Sequence, residues 1–351
     1  MNFFNLIKSF LYLLPPETAH NIVISLLHYN IIPGNKPFTN KMLKSEIAGL
    51  QFLNPVGLAA GFDKNASALN NLQKFNFGFI ETGTVTPLPQ AGNPKPRLFR
   101  LNNNQAIINR MGFNNVGKKT FLNNFLNTNK INNIPLGINI GKNKNTSSHI
   151  DDYIELLKYF HKIADYITIN ISSPNTPQLR NIQKEHILER FLKEIQEESI
   201  LLNKQNTKKT PIFLKISPDL TQNELQDLCN LSLKYNISAL IISNTTISRP
   251  DNSLKLPSGG LSGKVLLDLS NQILKDAYIL TKGAIPLIGV GGISNASDAY
   301  HKICLGASLI QIYTAFIFQG FKLVNQVNQG LVTLLAQDGF NNIQEAIGSK
   351  N

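Results

Sequence analysis

The chain has 351 residues, 42% of them apolar, which supplies a sizeable core and excludes both a disordered chain and a small disulfide-stapled one. Lys and Arg number 34 against 22 Asp and Glu, a formal net charge of +12, although charged residues are only 16% of the total, below the roughly 25% of a typical soluble chain. The positive excess fits an anionic partner (nucleic acid, an acidic membrane face or a phosphorylated ligand) and equally fits a compositional bias toward Lys and Asn. The length allows two domains of about 150 residues or one barrel of about 250 with an appendage.

At the amino terminus Phe3, Leu6, Ile7, Phe10, Leu11 and Leu14 recur at helical spacing. Pro15-Pro16 stops that run, and Pro16 with Glu17 opens a second helix through Leu27. The single late Lys8 and the lack of a small-residue cleavage site make this a poor signal peptide. Two short greasy helices have two uses: packing onto the main domain, or lying in a membrane interface over an apolar ligand. No apolar run approaches the roughly 18 residues that span a bilayer. Cys229 and Cys304 lie in helix-like stretches without Cys-x-x-Cys spacing, so a disulfide framework and a zinc site are both disfavoured.

From about residue 55 the rhythm changes. Eight short apolar runs appear: 56–60, 77–81, 136–140, 166–171, 212–216, 239–243, 285–290 and 308–312. Each is followed by a helix-length stretch. Runs this short and apolar suit parallel strands buried on both faces. Eight strand–helix units predict a (β/α)8 TIM barrel with a small N-terminal helical extension. No Gly-x-Gly-x-x-Gly follows the first run, against a doubly wound alternative. The predicted organisation is residues 1–40 as the helical extension, 41–340 as the barrel and 341–351 as a C-terminal tail. Two connections, 83–135 and 172–211, exceed a simple repeat, and long connections at a barrel's top face carry function.

The chemistry of such a barrel gathers at the carboxyl ends of its strands. These ends offer Ala59–Lys64, Glu81–Thr84, Asn139–Asn143, Asn170–Asn175, Lys215, Ser243–Thr246, Gly289–Gly292 and Tyr313-Thr314. No His stands among them and no metal-ligand cluster appears, so metal hydrolysis and a Ser-His-Asp triad lose ground. What remains is a crowd of amides and hydroxyls with two lysines. A single Asn is ordinarily a turn or cap residue. Several together suit a planar heterocycle with alternating N–H and C=O groups. Gly289–Gly292 and Ser258–Gly263 are glycine-rich, and the former follows strand seven, where barrels bind phosphate. A cofactor with one phosphate and a ring follows: flavin mononucleotide, or a pyridoxal cofactor using Lys215 as its Schiff-base lysine.

Taken in order, Gly57–Lys64, Asn109–Asn114, Asn139–Asn143, Asn170–Thr176, Ser243–Thr246 and Gly289–Ile293 resemble the dihydroorotate dehydrogenase family over nearly the whole chain. Ser173, where the soluble class carries Cys, and the amino-terminal helices resemble its quinone-using class. The resemblance implies oxidation of (S)-dihydroorotate to orotate through FMN, with quinone as acceptor, in pyrimidine biosynthesis. Ser173 is implied as the base at C5, acting through a relay in which Thr176 is a candidate member, because a free hydroxyl is a poor base at neutral pH. Ala60, Gly61, Phe62, Asp63, Lys64, Thr84, Asn139, Asn170, Lys215, Ser243, Gly263, Gly292, Tyr313 and Thr314 are implied as flavin contacts. Lys64 again, Asn109, Arg110, Met111, Gly112, Phe113, Asn170, Asn175, Asn244 and Thr245 are implied as substrate contacts, with 109–113 closing over the substrate. His20 and Arg100 are implied at the quinone head.

Phe62 and Ser243 depart from the Leu and Thr expected there, and both keep the chemistry. The resemblance further implies no metal, no nucleic-acid partner, a monomer, and peripheral attachment to an anionic membrane surface on the cytoplasmic side of a bacterial cell membrane. The nearest rival is a reductase resembling flavin-dependent tRNA dihydrouridine synthases. That family uses a Cys acid, for which Cys229 and Cys304 are misplaced. A basic scaffold with an inactive barrel is the rival from another class, and the intact Lys64, Ser173 and Lys215 speak against it.

Overall fold

A computed structural model describes residues 3–131, 133–146, 148, 150–249 and 256–351. Eight parallel strands close into a barrel: β1 Val56–Leu58, β2 Phe79–Val85, β3 Leu136–Ile140, β4 Tyr166–Asn170, β5 Ile212–Ile216, β6 Ala239–Ile242, β7 Leu287–Val290 and β8 Ala307–Ile312. Each pairs with the next in sequence, and β8 pairs with β1. The eight-run reading is therefore the observed barrel. Strand β2 starts two residues later and ends four later than the run 77–81 that announced it, and β1 is shorter, although Ala59 N–H still reaches Ile312 O at 3.1 Å.

The interior is graded along the barrel axis. At the amino-terminal end, Phe79, Tyr166 and Phe213 point inward and are wholly buried, and the last two stack at 4.5 Å between centroids. Glycine makes room for them. A Cβ on Gly57 would lie 2.2 Å from the Phe79 ring, and one on Gly137 would lie 2.1 Å from the Tyr166 ring. A hairpin, Ser45–Ile47 with Leu50–Phe52, seals this end, and Phe52 packs edge-on against Phe79 at 5.4 Å. Toward the carboxyl ends the inward residues turn polar: Glu81, Asn139, Thr168, Asn170, Lys215 and Gln311, all buried. Chemistry is thereby confined to one mouth of the barrel.

Over that mouth lies a three-stranded antiparallel sheet. Leu98–Leu101 and Ala106–Asn109 come from the long connection after β2, and Gly260–Gly263 comes from the connection after β6. The glycine-rich segment 258–263 is thus mostly strand. It is glycine because a Cβ on Gly260 would meet Thr245 Oγ1 at 2.0 Å. Two helices precede the barrel, α1 (Phe3–Leu13) and α2 (Pro16–His28), as the periodicity predicts. Proline at the first position of α2 supplies a preset φ and loses no hydrogen bond there. Leu11, Ala19 and Leu27 are buried, whereas Phe10 and Leu13 of α1 are exposed. At the other terminus Ile343 and Ala346 are buried, and Gly348 and Lys350 N–H groups bond to Ile303 O and Cys304 O. Among the described residues no helix is long and apolar enough to cross a membrane.

The packing at Gly137 gives a test. Gly137→Ala forces a methyl into the Tyr166 ring and is expected to destabilise the protein by about 1–3 kcal/mol. A urea midpoint unchanged from wild type would show that the ring does not need that space.

Candidate active site

A cleft of ≈ 1380 Å³, its mouth included, opens at the carboxyl ends of the strands beneath the antiparallel sheet. Its polar lining is organised from below by one carboxyl group. Glu81, fully buried in β2, accepts hydrogen bonds from Asn139 Nδ2 at 2.8 Å, Gln311 Nε2 at 2.9 Å, Thr168 Oγ1 at 3.0 Å and Tyr166 OH at 3.4 Å. Asn139 Oδ1 then accepts from Thr84 Oγ1 at 2.5 Å and from Asn170 Nδ2 at 3.2 Å. Asn170 Oδ1 accepts from Ser172 Oγ at 2.8 Å, and Asn244 Nδ2 donates to that same hydroxyl at 2.9 Å. The tips of five strands, β2, β3, β4, β6 and β8, are linked in one network of directed bonds.

Lys215 projects inward from β5, beside Asn170 in the β4–β5 register, and lines the cleft. Desolvation lowers its pKa from the ordinary lysine value, and the Glu81 carboxyl works in the opposite direction. Lys64, after β1, lines the cleft as well. Burial lowers it to about 8; Glu17 and Asp63 resist the shift, and Arg97 adds to it. Two cations therefore face one cavity through separate walls.

Ser173 follows β4 and is 6% exposed. Its Oγ accepts the Asn175 N–H at 3.3 Å. Asn175 Nδ2 donates to Asn109 O at 3.1 Å and Oδ1 at 3.2 Å, which joins this loop to the overlying sheet. Arg180 fixes the loop from behind: Nε donates to Ser172 O at 2.9 Å, Nη2 to Thr245 O at 2.9 Å and Nη1 to Asp219 at 2.7 Å. At the far end of the cleft lie Gly263, Gly291 and Gly292, all with positive φ. Among the described residues the Gly291 and Gly292 N–H groups have no hydrogen-bond partner.

A second, largely apolar cavity of ≈ 710 Å³ lies between the helices α1 and α2 and the barrel. His20, Leu98, Ile107 and Tyr313 line both cavities, so one layer of side chains separates them. Burial and the Lys64 ammonium push His20 down to about 3, which keeps its ring neutral. Arg100 stacks over the Tyr12 ring at 4.6 Å and donates to Tyr12 O and Leu14 O. Glu17 of α2 pairs with Arg97 Nη2 at 2.7 Å and accepts from its Nε as well, and Arg97 Nη1 donates to Ala91 O and Asn93 O. The extension is thereby tied to the sheet that roofs the cleft.

Of the residues singled out from sequence, Ala60, Gly61, Lys64, Thr84, Asn170, Lys215, Ser243, Gly263, Gly292, Tyr313 and Thr314 line the main cleft. So do Asn109, Met111, Gly112, Phe113, Ser173, Asn175, Asn244, Thr245 and His20. The remaining five stand elsewhere. Phe62 and Arg100 line the second cavity. Asp63 is buried and accepts the Asn65, Ser67 and Ala68 N–H groups, which shapes its own loop. Asn139 stands behind Thr84 and Asn170. Arg110 lies over the Phe99 ring and donates to Pro96 O, away from the cleft. Cys229 and Cys304 are buried outside it, and burial pushes the Cys229 thiol up to about 12. Sequence reasoning passed over Glu81, Gln311 and Arg180; only the position of Glu81 beside Thr84 hinted at its role.

Replacing Glu81 tests this arrangement. Glu81→Leu strips four donors of their acceptor and leaves Lys215 without the carboxyl that opposes its desolvation. Breaking a buried charge arrangement costs about 3–5 kcal/mol, and Glu81→Gln is expected to cost less. Chemical unfolding measures both; a loss under about 0.5 kcal/mol for Leu would remove Glu81 from this central place.

A family model described as Dihydroorotate dehydrogenase matches residues 42–335. The mitochondrial dihydroorotate dehydrogenase (quinone) of Mus musculus is 43% identical over 352 residues, spanning 96% of this chain and 87% of its own length. The dihydroorotate dehydrogenase (quinone) of Parvibaculum lavamentivorans is 43% identical across 99% of both chains. A solved structure of ligand-free DHODH from Eimeria tenella has a TM-score of 0.91 at 40% identity, covering 96% of this chain and 99% of its own. The match runs through the barrel and the residues that line its cleft, and the chain belongs to the dihydroorotate dehydrogenase family.

Proposed function

We propose that this protein oxidises (S)-dihydroorotate to orotate with FMN in the main cleft and delivers the electrons to a membrane quinone in the second cavity. One observation carries the reading: a serine hydroxyl, two lysines and the amides of Asn109, Asn170, Asn175 and Asn244 line one cleft whose far end is glycine. The residues fit a flavin nucleotide. Gly263, Gly291 and Gly292 all hold a positive φ at the far end of the cleft, and a Cβ on Gly292 would lie 2.4 Å from Leu267 Cα, so this loop packs against the helix behind it as only glycine can and leaves its backbone to face the cleft. Backbone N–H groups in such a loop suit a phosphate. Lys215, buried and without a paired carboxylate, suits the ring edge that gains negative charge on reduction. When bound, the flavin supplies a hydride acceptor for C6 of the substrate.

The chain's own residues do the rest. Asn side chains donate and accept at once, which matches the alternating edge of a dihydropyrimidine. Lys64 supplies positive charge for the substrate carboxylate. Ser173 takes the C5 proton, and the Asn175 N–H stabilises its oxygen. Thr176 Oγ1 is buried with no hydrogen-bond partner among the described residues, and is available as the next group in the proton path. The roof sheet and the 109–113 segment exclude water. Across the shared wall, neutral His20 and Arg100 stand ready for a quinone head. The exposed Phe10 and Leu13 of α1, with the net positive charge, favour peripheral attachment to an anionic membrane. The cytoplasmic side of a bacterial cell membrane is the proposed location.

The deciding experiment is an anaerobic stopped-flow trace of the purified protein. It is expected to be yellow, to bleach with dihydroorotate and to recover its colour with quinone. Failure to bleach overturns the reading. Ser173→Ala is expected to keep its flavin and slow bleaching by about 10²–10⁴-fold, the range of general-base contributions. A normal rate removes Ser173 from the chemistry.

Lys64 gives a pH signature. Its value of about 8 means the ammonium fraction falls as pH rises through 8, and anion affinity falls with it. KM for dihydroorotate is expected to rise above pH 8, approaching tenfold per unit, and to be flat there in Lys64→Gln. A flat wild-type profile would show that Lys64 does not read the carboxylate.

A further inference from the structure

Lys302 belongs to the helix Ala296–Cys304, on the outer layer, and takes no part in the cleft described above. It is nevertheless wholly buried. Its stem lies along β7, where a Cβ on Gly289 would meet its Cδ at 3.1 Å. Its Nζ donates to Ser270 Oγ at 2.7 Å and to Asn271 Oδ1 at 2.7 Å. Both partners are neutral. The carboxylates that act on it, Asp298 and Asp268, favour its charge from a distance and form no ion pair with it. Asp298 is engaged by the Ser294 N–H and hydroxyl at 2.9 and 2.7 Å. Burial lowers Lys302 to about 7. A buried ammonium with neutral partners alone is costly unless an anion lies within reach.

The hydrogen bonds lead from Lys302 toward the glycine loop after β7. Ser270 Oγ, which accepts the Lys302 hydrogen bond, shares its own hydroxyl hydrogen between Gly291 O at 3.0 Å and Leu267 O at 2.9 Å. Gly291 and Gly292 form the loop after β7, which is pressed against the first turn of the helix Leu267–Thr281. The lysine thus stands one layer behind the glycine loop and is joined to it through a single hydroxyl.

We propose that Lys302 is a positioning residue for the anionic end of the cofactor: through Ser270 it sets the Gly291 carbonyl, and so the loop's outward N–H groups, while placing a positive charge behind them. The inference rests on the flavin-nucleotide reading of the cleft. In a medium that screens poorly, a cation one layer away acts on a phosphate dianion and hardly at all on a neutral ribityl hydroxyl. The selectivity between FMN and riboflavin, which differ by that phosphate, is therefore the diagnostic quantity.

The experiment uses the full chain stripped of flavin, titrated with FMN and separately with riboflavin while flavin fluorescence is followed. Wild type is expected to bind FMN far more tightly than riboflavin. Lys302→Met keeps length and removes charge; it is expected to lose about tenfold or more in FMN affinity, the worth of one charge-assisted interaction, with riboflavin changed less than about twofold. Ser270→Ala keeps the charge and cuts the link, and a smaller loss with the same selectivity is expected. Equal weakening of both flavins in Lys302→Met means general loosening and overturns the proposal, as does unchanged FMN affinity. Should Lys302→Met fail to fold, Ser270→Ala decides: FMN affinity equal to wild type overturns the proposal. A wild type that binds riboflavin as tightly as FMN, or binds neither, sinks the phosphate reading itself and this inference with it.

Discussion

The arrangement of the cleft depends on a carboxyl group at the centre of the barrel. An amide side chain has no intrinsic preference for which end faces which neighbour. Asn139 acquires one because Glu81 sits beneath it and takes its Nδ2. The Asn139 oxygen must then face upward, where Thr84 and Asn170 donate to it. Asn170 is oriented in turn, so its oxygen takes the Ser172 hydroxyl. Direction set by one acceptor passes through three strands and reaches the loop that carries Ser173. Chains of this kind are strong when every member is satisfied and weak when one is not, so an apolar residue at position 81 is felt far from its own contacts.

The same carboxyl resolves a conflict within the interior. A barrel core of Phe79, Tyr166 and Phe213 is a poor solvent for an ammonium, and burial alone depresses Lys215. The inward positions of successive strands change from aromatic to polar within one or two residues, so Lys215 sits where the core ends and Glu81 opposes its desolvation. Lys64 meets a different balance, with Glu17 and Asp63 on one side and Arg97 on the other. Two lysines in one cleft are thus tuned by different partners, which under the proposed function suits a substrate anion and a second developing charge at separate places.

The barrel was legible because parallel strands buried on both faces leave short, unbroken apolar runs, and all eight appear in the sequence. The site was legible where chemistry follows a run directly, as at Asn170–Asn175 and Lys215. It was opaque where a polar residue stands inside a strand. Glu81 ends the run 77–81 and Gln311 lies within the run 308–312, whereas Gln311 lines the cleft and Glu81 holds its polar lining from beneath. The roof strands are four residues each, with no period long enough to register. Ser258–Gly263 reads as one glycine-rich loop because glycine marks both a close-approach turn and a strand squeezed against a neighbour: Gly263 lines the cleft, whereas Gly260 is a strand position pressed on Thr245. The pairing of Glu17 with Arg97 crosses 80 residues, and no local pattern carries it. Arg110 illustrates the converse: its neighbours reach the cleft, and its own side chain turns away over Phe99.

That long-range ion pair bears on what the first thirty residues are for. A tether that only held the protein at a membrane would need no contact with the cleft. Here α2 contributes His20 to the wall between the two cavities and Glu17 to the roof, where Arg97 also holds Asn93 O, and Asn93 Nδ2 donates to Asn175 O at 3.2 Å. Asn175 is one of the amides lining the cleft. Hydrogen bonds thus run without a break from Glu17 of α2 through Arg97 and Asn93 to Asn175 at the edge of the cleft. Under the proposed function the two half-reactions use opposite sides of a wall one residue thick, and the element that forms this wall also grips the roof. On that proposal the helical extension belongs to the catalytic unit, and the exposed Phe10 and Leu13 of α1 lie on the side from which an apolar acceptor would enter.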